Sequence, residues 1–167
     1  MNASPSPLAQ LVSSFHRRLA AIPEDALQLL ARFSIAAVFW KSGQTKVEGF
    51  AVDLVSGHFE LGIPHLSSSA IDLFREGYRL PLIPPEIAAP LAATAEHLFP
   101  LLLLFGIATR LSALGLLGMT AVIEIFVYPD AYPTHGVWAT ALLYLAMRGG
   151  GRFSLDRLIA KKYSVTM

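Results

Sequence analysis

The sequence predicts an all-α protein: a four-transmembrane-helix bundle with an interfacial helical segment between helices 1 and 2. Three observations predict it. Hydrophobic residues make up 54% of the 167 and charged residues only 15%, against about 25% charged in an average soluble protein. The mean hydropathy of +0.53 leaves too little charge to cover a soluble surface of this size. Apolar runs of bilayer-crossing length recur along the chain, and only Ala108-Thr109-Arg110 separates two of them, which forces an antiparallel helix hairpin. The reading is one membrane domain over residues 23–158, with tails at 1–22 and 159–167.

The elements follow in order. Asn2 to Pro7 reads as a loop. Leu8 to Ile22 is either a short amphipathic helix on the membrane surface, with Arg17 and Arg18 on its basic side, or a frayed terminus. No apolar run ending in small residues marks a cleaved leader. Pro23-Glu24-Asp25 starts the first span, Ala26 to Gly43, whose length is about 27 Å. Gln44 to Glu86 is too long for a simple connector, and Ile71, Phe74 and Tyr78 recur there at helical spacing, predicting an interfacial helix. The second span is Ile87 to Ile107 and the third Leu111 to Tyr128, about 31 and 27 Å against a hydrocarbon core of about 30 Å. The fourth, Tyr132 to Met147, is the shortest and needs tilt or a thin bilayer to cross.

Basic residues set the orientation. With four spans the termini share a side, which collects Arg17, Arg18, Arg110, Arg148, Arg152, Arg157, Lys161 and Lys162, while Lys41, Lys46, Arg75 and Arg79 fall on the other. The excess puts both termini in the cytoplasm and makes the chain a multi-pass inner-membrane protein. A net charge of +1 gives no basic surplus for nucleic acid, and the absence of cysteine excludes disulfides, thiolate metal sites and thiol redox chemistry.

The residues that need explanation are those a bilayer rejects. Arg32 lies in the first span, Glu96 and His97 in the middle of the second and Glu124 near the outer end of the third; unpaired, each costs roughly 2.5–3.5 kcal/mol at a helix centre. Ala89, Ala92 and Ala93 surround Glu96, and Gln28, Ala36 and Gly43 extend a similar stripe from Arg32, so an Arg32–Glu96 ion pair is expected across the two faces. Pro100 removes the hydrogen bond to the Glu96 carbonyl, and the kink opens a small polar cavity. Two readings stay open: a proton-handling or ligand site, or an ion pair that only fixes helix register. His97 is a ligand or relay, or is hydrogen-bonded to a neighbouring helix. Glu124, Tyr128, Asp130 and His135, with Lys41 and Lys46, are expected to line an outer mouth together with His58 and His65; no metal-binding spacing joins them, so no metal site is assigned. Ser112, Gly115 and Gly118 mark close packing. Trp40, Trp138, Tyr128 and Tyr132 read as interfacial anchors, Trp40 alternatively as a stacking surface for a flat ring.

Three stretches carry a family resemblance: Arg32 followed by Phe39-Trp40-Lys41-Ser42-Gly43-Gln44-Thr45-Lys46; Glu96 followed by Phe105-Gly106-Ile107-Ala108-Thr109-Arg110; and Arg148-Gly149-Gly150-Gly151-Arg152-Phe153-Ser154-Leu155-Asp156. Together, over about residues 27 to 158, they resemble the DoxX family of small four-helix membrane proteins. That family is named through similarity to a subunit of a thiosulfate:quinone oxidoreductase. Other members resemble parts of bacterial redox or stress-response complexes, and a subset accompanies copper-responsive peptide-modification systems. The resemblance implies a small plasma-membrane subunit of a redox or stress-response system that binds a quinone between helices. The candidate ligand residues are Arg32, Trp40, Lys46, Glu96, His97, Glu124 and His135, with no catalytic residue assigned. The alternative is a non-catalytic anchor or assembly factor, linked to metal (copper) response, whose segment Gln44 to Glu86 docks a membrane or periplasmic partner. A transporter of four helices without a repeat requires a homo-oligomer.

Overall fold

A computed structural model describes residues 6–163; the ends of the two expected tails, residues 1–5 and 164–167, lie outside it. The protein is mostly helical. Helix α1, Pro7–Ala20, begins at Ser6, whose hydroxyl accepts from the Ala9 amide, and has no buried residue. Leu8, Leu11, Val12, Phe15 and Leu19 are all exposed along one of its faces. Of the two readings of this segment, the amphipathic helix is the one formed. Helix α2, Glu24–Gln44, carries Glu24 and Asp25 in its first turn, where carboxylates favour the positive end of the helix dipole.

The segment after α2 is the main correction to the expected fold. A β-hairpin precedes its helical part: β1, Val47–Asp53, pairs antiparallel with β2, His58–Leu66. Asp53 Oδ1 accepts from the amides of Val55 and Ser56, closing the turn, and the Val55 bond leads in holding this exposed carboxyl below the usual carboxylate range. Gly49, at φ +79°, forms a bulge between Glu48 and Phe50; a Cβ there would lie 2.6 Å from the Ile63 carbonyl oxygen. The expected helix then follows as α3, Ser68–Asp72, continued by a π-helical turn, Leu73–Tyr78, and Phe74 packs on Ala88 and Ala89.

Helices α4, Pro85–Phe105, α5, Thr109–Phe126, and α6, Tyr132–Arg148, form where the second to fourth apolar runs were read. Gly106 ends α4 in the left-handed conformation, with the Ile107 amide returning to the Leu102 carbonyl. Helix α4 packs against α2 and α5, and α6 against α5 and α2, enclosing a core of Ile35, Phe39, Leu103, Leu116, Leu142 and Leu145. By length and composition α4 and α5 are able to cross a membrane. A last helix, α7, Leu155–Tyr163, runs past residue 158, where the sequence reading ended the membrane domain.

Candidate functional site

The contact between α2 and α4 sets the site. The two run antiparallel, and Gly43 lets them approach closely: a Cβ there would lie 3.1 Å from Glu96 Cβ and 2.8 Å from the His97 ring. Glu96 is thus level with the end of α2, and the chain just beyond that end turns Lys46 back toward it. Lys46 Nζ lies 2.7 Å from Glu96 Oε2, with the side chains 2% and 4% exposed. The ammonium also donates to the Ser42 carbonyl and hydroxyl, each at 3.1 Å, and Ser42 Oγ donates to Glu96 Oε1 at 3.2 Å. A charge pair taken this far from water persists only when its remaining valences are met, as Ser42 meets them here.

The expected Arg32–Glu96 pair is not formed, and helix register is the reason. Arg32 is level with Leu103 and Leu104 of α4, seven to eight residues from Glu96, or about 11 Å along the helix axis. Its guanidinium donates from Nε to the Leu103 carbonyl at 2.6 Å, from Nη2 to that of Leu104 at 2.6 Å, and from Nη1 to those of Gly150 and Phe153 at 3.0 and 2.7 Å. These are carbonyls at the end of α4 and in the loop after α6, so Arg32 fastens the α6–α7 loop to the α4 terminus. Asp156 completes the clasp by accepting from the Ala108 and Thr109 amides at 2.7 and 2.8 Å.

His97 is tied to the hairpin. Its Nδ1 is 2.7 Å from the Ala93 carbonyl and its Nε2 is 2.8 Å from Gln44 Nε2, while Gln44 Oε1 accepts from the Val52 amide at 2.7 Å. The Val52 donor fixes the Gln44 amide, which must then donate to Nε2, so the imidazole carries its proton on Nδ1. Trp40 donates to the Val52 carbonyl at 3.1 Å and meets His97 edge-on at 5.0 Å. Trp40 therefore docks the hairpin on the helices.

A cavity of about 500 Å³ lies between α2, α4, α5, α6 and the π-helical turn. Its wall is largely apolar, with Phe39, Phe74, Ala92 and Met119, and is interrupted by Ser42 and Glu96 on one side and His135 on another. His135 Nδ1 is 2.5 Å from Glu124 Oε2, and the ring packs on Trp138 at 4.9 Å. Trp138 also meets Phe39 edge-on, so it faces the core and not the lipid interface. Tyr78 and Tyr128, with rings 6.0 Å apart, close the cavity, and burial first and Tyr128 second push the Tyr78 phenol up to about 12.

Of the sequence-derived set, Glu96 and His135 share this cavity, Lys46 and Glu124 stand behind them, and Trp40 and His97 bind the hairpin. The expected outer mouth does not assemble: His65 is 3.6 Å from Glu48 out on the hairpin, and His58 is exposed. Ser42 and Tyr78 were missed as site residues; Ser42 lies one turn before Lys46, and that spacing was the available signal. Gly115 packs on the Phe99 ring as expected, whereas a Cβ on Gly118 would meet open space.

A family model described as DoxX matches residues 27–129. An uncharacterized protein of Haemophilus influenzae is 37% identical over 90 residues, covering 49% of this chain and 60% of the relative, so the chain matches less than two thirds of that relative's length. No solved structure matches.

Proposed function

The chain belongs to the DoxX family, and from that premise we propose a multi-pass inner-membrane protein whose four long helices all cross the bilayer and whose cavity takes a quinone-like ring. The observation that carries the ligand reading is the buried Lys46–Glu96 pair on the wall of an otherwise apolar cavity of about 500 Å³, within the size range of small-molecule sites. The crossing of α2 and α6 is supported by their outward faces, where Leu27, Leu30, Phe33, Val137, Leu143 and Met147 are exposed while Arg32 is turned inward. The basic residues at the α1, α4–α5 and α7 end favour cytoplasmic termini.

The polar groups are acceptors, which suits the reduced form of such a ring, with a hydroxyl donating at each of its two ends. One end faces Ser42 and Glu96, and the other faces His135, whose Nδ1 is engaged by Glu124 and whose Nε2 has no hydrogen-bond partner among the described residues. A bound quinone supplies two-electron, two-proton redox chemistry. The chain orients the ring between Phe39 and Met119, keeps water out, and offers the Glu96 carboxylate and His135 Nε2 as acceptors for the two ring hydroxyl protons. Arg32 leaves the ligand set, because its donors serve backbone carbonyls.

Solvent extraction of the detergent-purified protein tests this. Quinone per chain is expected to fall on the order of tenfold in Glu96→Gln, the loss of one charge-assisted hydrogen bond. Equal content in variant and wild type removes the ligand reading. The hairpin supports the second reading, an assembly factor in a redox or stress-response complex: Leu54, Val55, Leu61 and Ile63 are 78%, 90%, 81% and 88% exposed. A photo-crosslinker at Ile63 that captures one defined membrane neighbour, with an empty cavity, would favour it.

A further inference from the structure

We propose that the cleft at the Arg32 end of the molecule binds a phosphate group, carried by an anionic lipid headgroup or free in solution. The cleft, about 780 Å³, opens between the start of α2, the α4–α5 link and the α6–α7 loop. Arg110, Arg148, Arg152 and Arg157 line it, facing Glu24, Asp25 and Asp156. Pairing these charges leaves two of the arginines over. Arg148 Nε is 3.2 Å from Glu24, Arg152 Nε is 3.4 Å from Asp25, and Asp156 holds the Ala108 and Thr109 amides. Because Asp156 already occupies the first amides of α5, the helix dipole is not the attraction.

Arg110 and Arg157 have no carboxylate partner among the described residues. Arg110 is nonetheless held in place, since its Nη1 donates to the Ala146 and Met147 carbonyls at 3.1 and 2.8 Å. Its Nε and Nη2 stay available, the edge that recognises phosphate bidentately. A second, independent observation points to a ligand. Thr109 lines the cleft, is 0% exposed, and its hydroxyl has no hydrogen-bond partner among the described residues, whereas a buried hydroxyl ordinarily has one.

The surroundings suit a headgroup. Helix α7 exposes Leu158 and Ile159 and carries Lys161 and Lys162 in its last turn. Helix α1, which leads into the same end, exposes its apolar face and carries Arg17 and Arg18. Two amphipathic basic helices beside a cleft lie naturally at the level of anionic lipid phosphates. The proposal rests on the membrane reading above.

The experiment is thermal unfolding of the full chain in a neutral detergent at fixed ionic strength, with phosphatidylglycerol, phosphatidylcholine or inorganic phosphate added. Phosphatidylglycerol is expected to raise Tm where phosphatidylcholine does not. An equal rise with inorganic phosphate identifies free phosphate as a sufficient ligand, and a rise with the lipid alone identifies the headgroup. Arg110→Gln and Arg157→Gln should each weaken the apparent affinity about tenfold. Thr109→Val should reduce the shift while keeping the ligand-free Tm, which a purely structural threonine would not do. No rise beyond that with phosphatidylcholine and chloride, or an undiminished rise in all three variants, overturns the proposal. Alkaline carbonate extraction separates the two ideas: release from membranes overturns the membrane reading, while retention without a lipid shift overturns only the phosphate site.

Discussion

Lys46 and Glu96 hold each other's charge in place. Removing one leaves the other buried without a counter-charge, which costs about 3–5 kcal/mol, whereas replacing both with apolar residues of similar volume is often neutral. Lys46→Met is therefore expected to lower unfolding stability by about that amount, and Lys46→Met with Glu96→Leu to recover most of it, as measured by denaturant unfolding in detergent. Recovery would make the pair a candidate for retention by function, since stability alone would not require it. The sequence signalled that Arg32 and Glu96 each needed a partner, because bilayer cost follows from composition. It did not signal which partner, because that depends on the sliding register of α2 against α4. Gly43 beside Glu96 and Arg32 beside Leu103 fix that register through shape, and no local pattern encodes it.

At the scale of elements, Gly43 joins helix packing to the site. A Cβ at this position would lie 2.8 Å from His97 Cε1 and 3.1 Å from Glu96 Cβ, so α4 must move or the imidazole must swing out. Gly43→Ala is expected to cost about 1–3 kcal/mol, the usual penalty of overpacking. It should also break the Gln44–His97 bond, which a changed His97 ring signal in NMR would report. Helix ends were legible because apolar length and Pro or acidic starts are local: Ala26 to Gly43 was expected where Glu24–Gln44 forms, and Leu111 to Tyr128 where Thr109–Phe126 forms. The hairpin was legible too, and was not read. Phe59, Leu61 and Ile63 alternate with His58, Glu60 and Gly62, a period of two, with Asp53 and Gly57 marking the turn. Its position against Trp40 and His97 is a tertiary fact that alternation does not carry.

For the whole molecule, the orientation is open to a direct check because the sequence contains no cysteine. Single cysteines at Ser13 on α1 and Ser56 in the hairpin turn should differ in intact cells: a membrane-impermeant maleimide is expected to label Ser56→Cys and not Ser13→Cys. The reverse result would invert the topology and move the arginine cleft to the outer face. An apolar layer separates two polar levels of the bundle: Ile35 and Phe39 lie between Arg32 and Ser42 along α2, Pro100 between Glu96 and the Leu103 carbonyl that Arg32 holds along α4, Leu116 between Thr109 and Glu124 along α5, and Leu142 and Leu145 between His135 and Arg148 along α6. On the membrane reading proposed above, that apolar layer is expected to act as an electrical insulator between the two polar levels. Vesicles reconstituted with the protein should therefore hold an imposed pH gradient as long as protein-free vesicles do, and any charge moved across would have to travel on a diffusing lipid-soluble carrier.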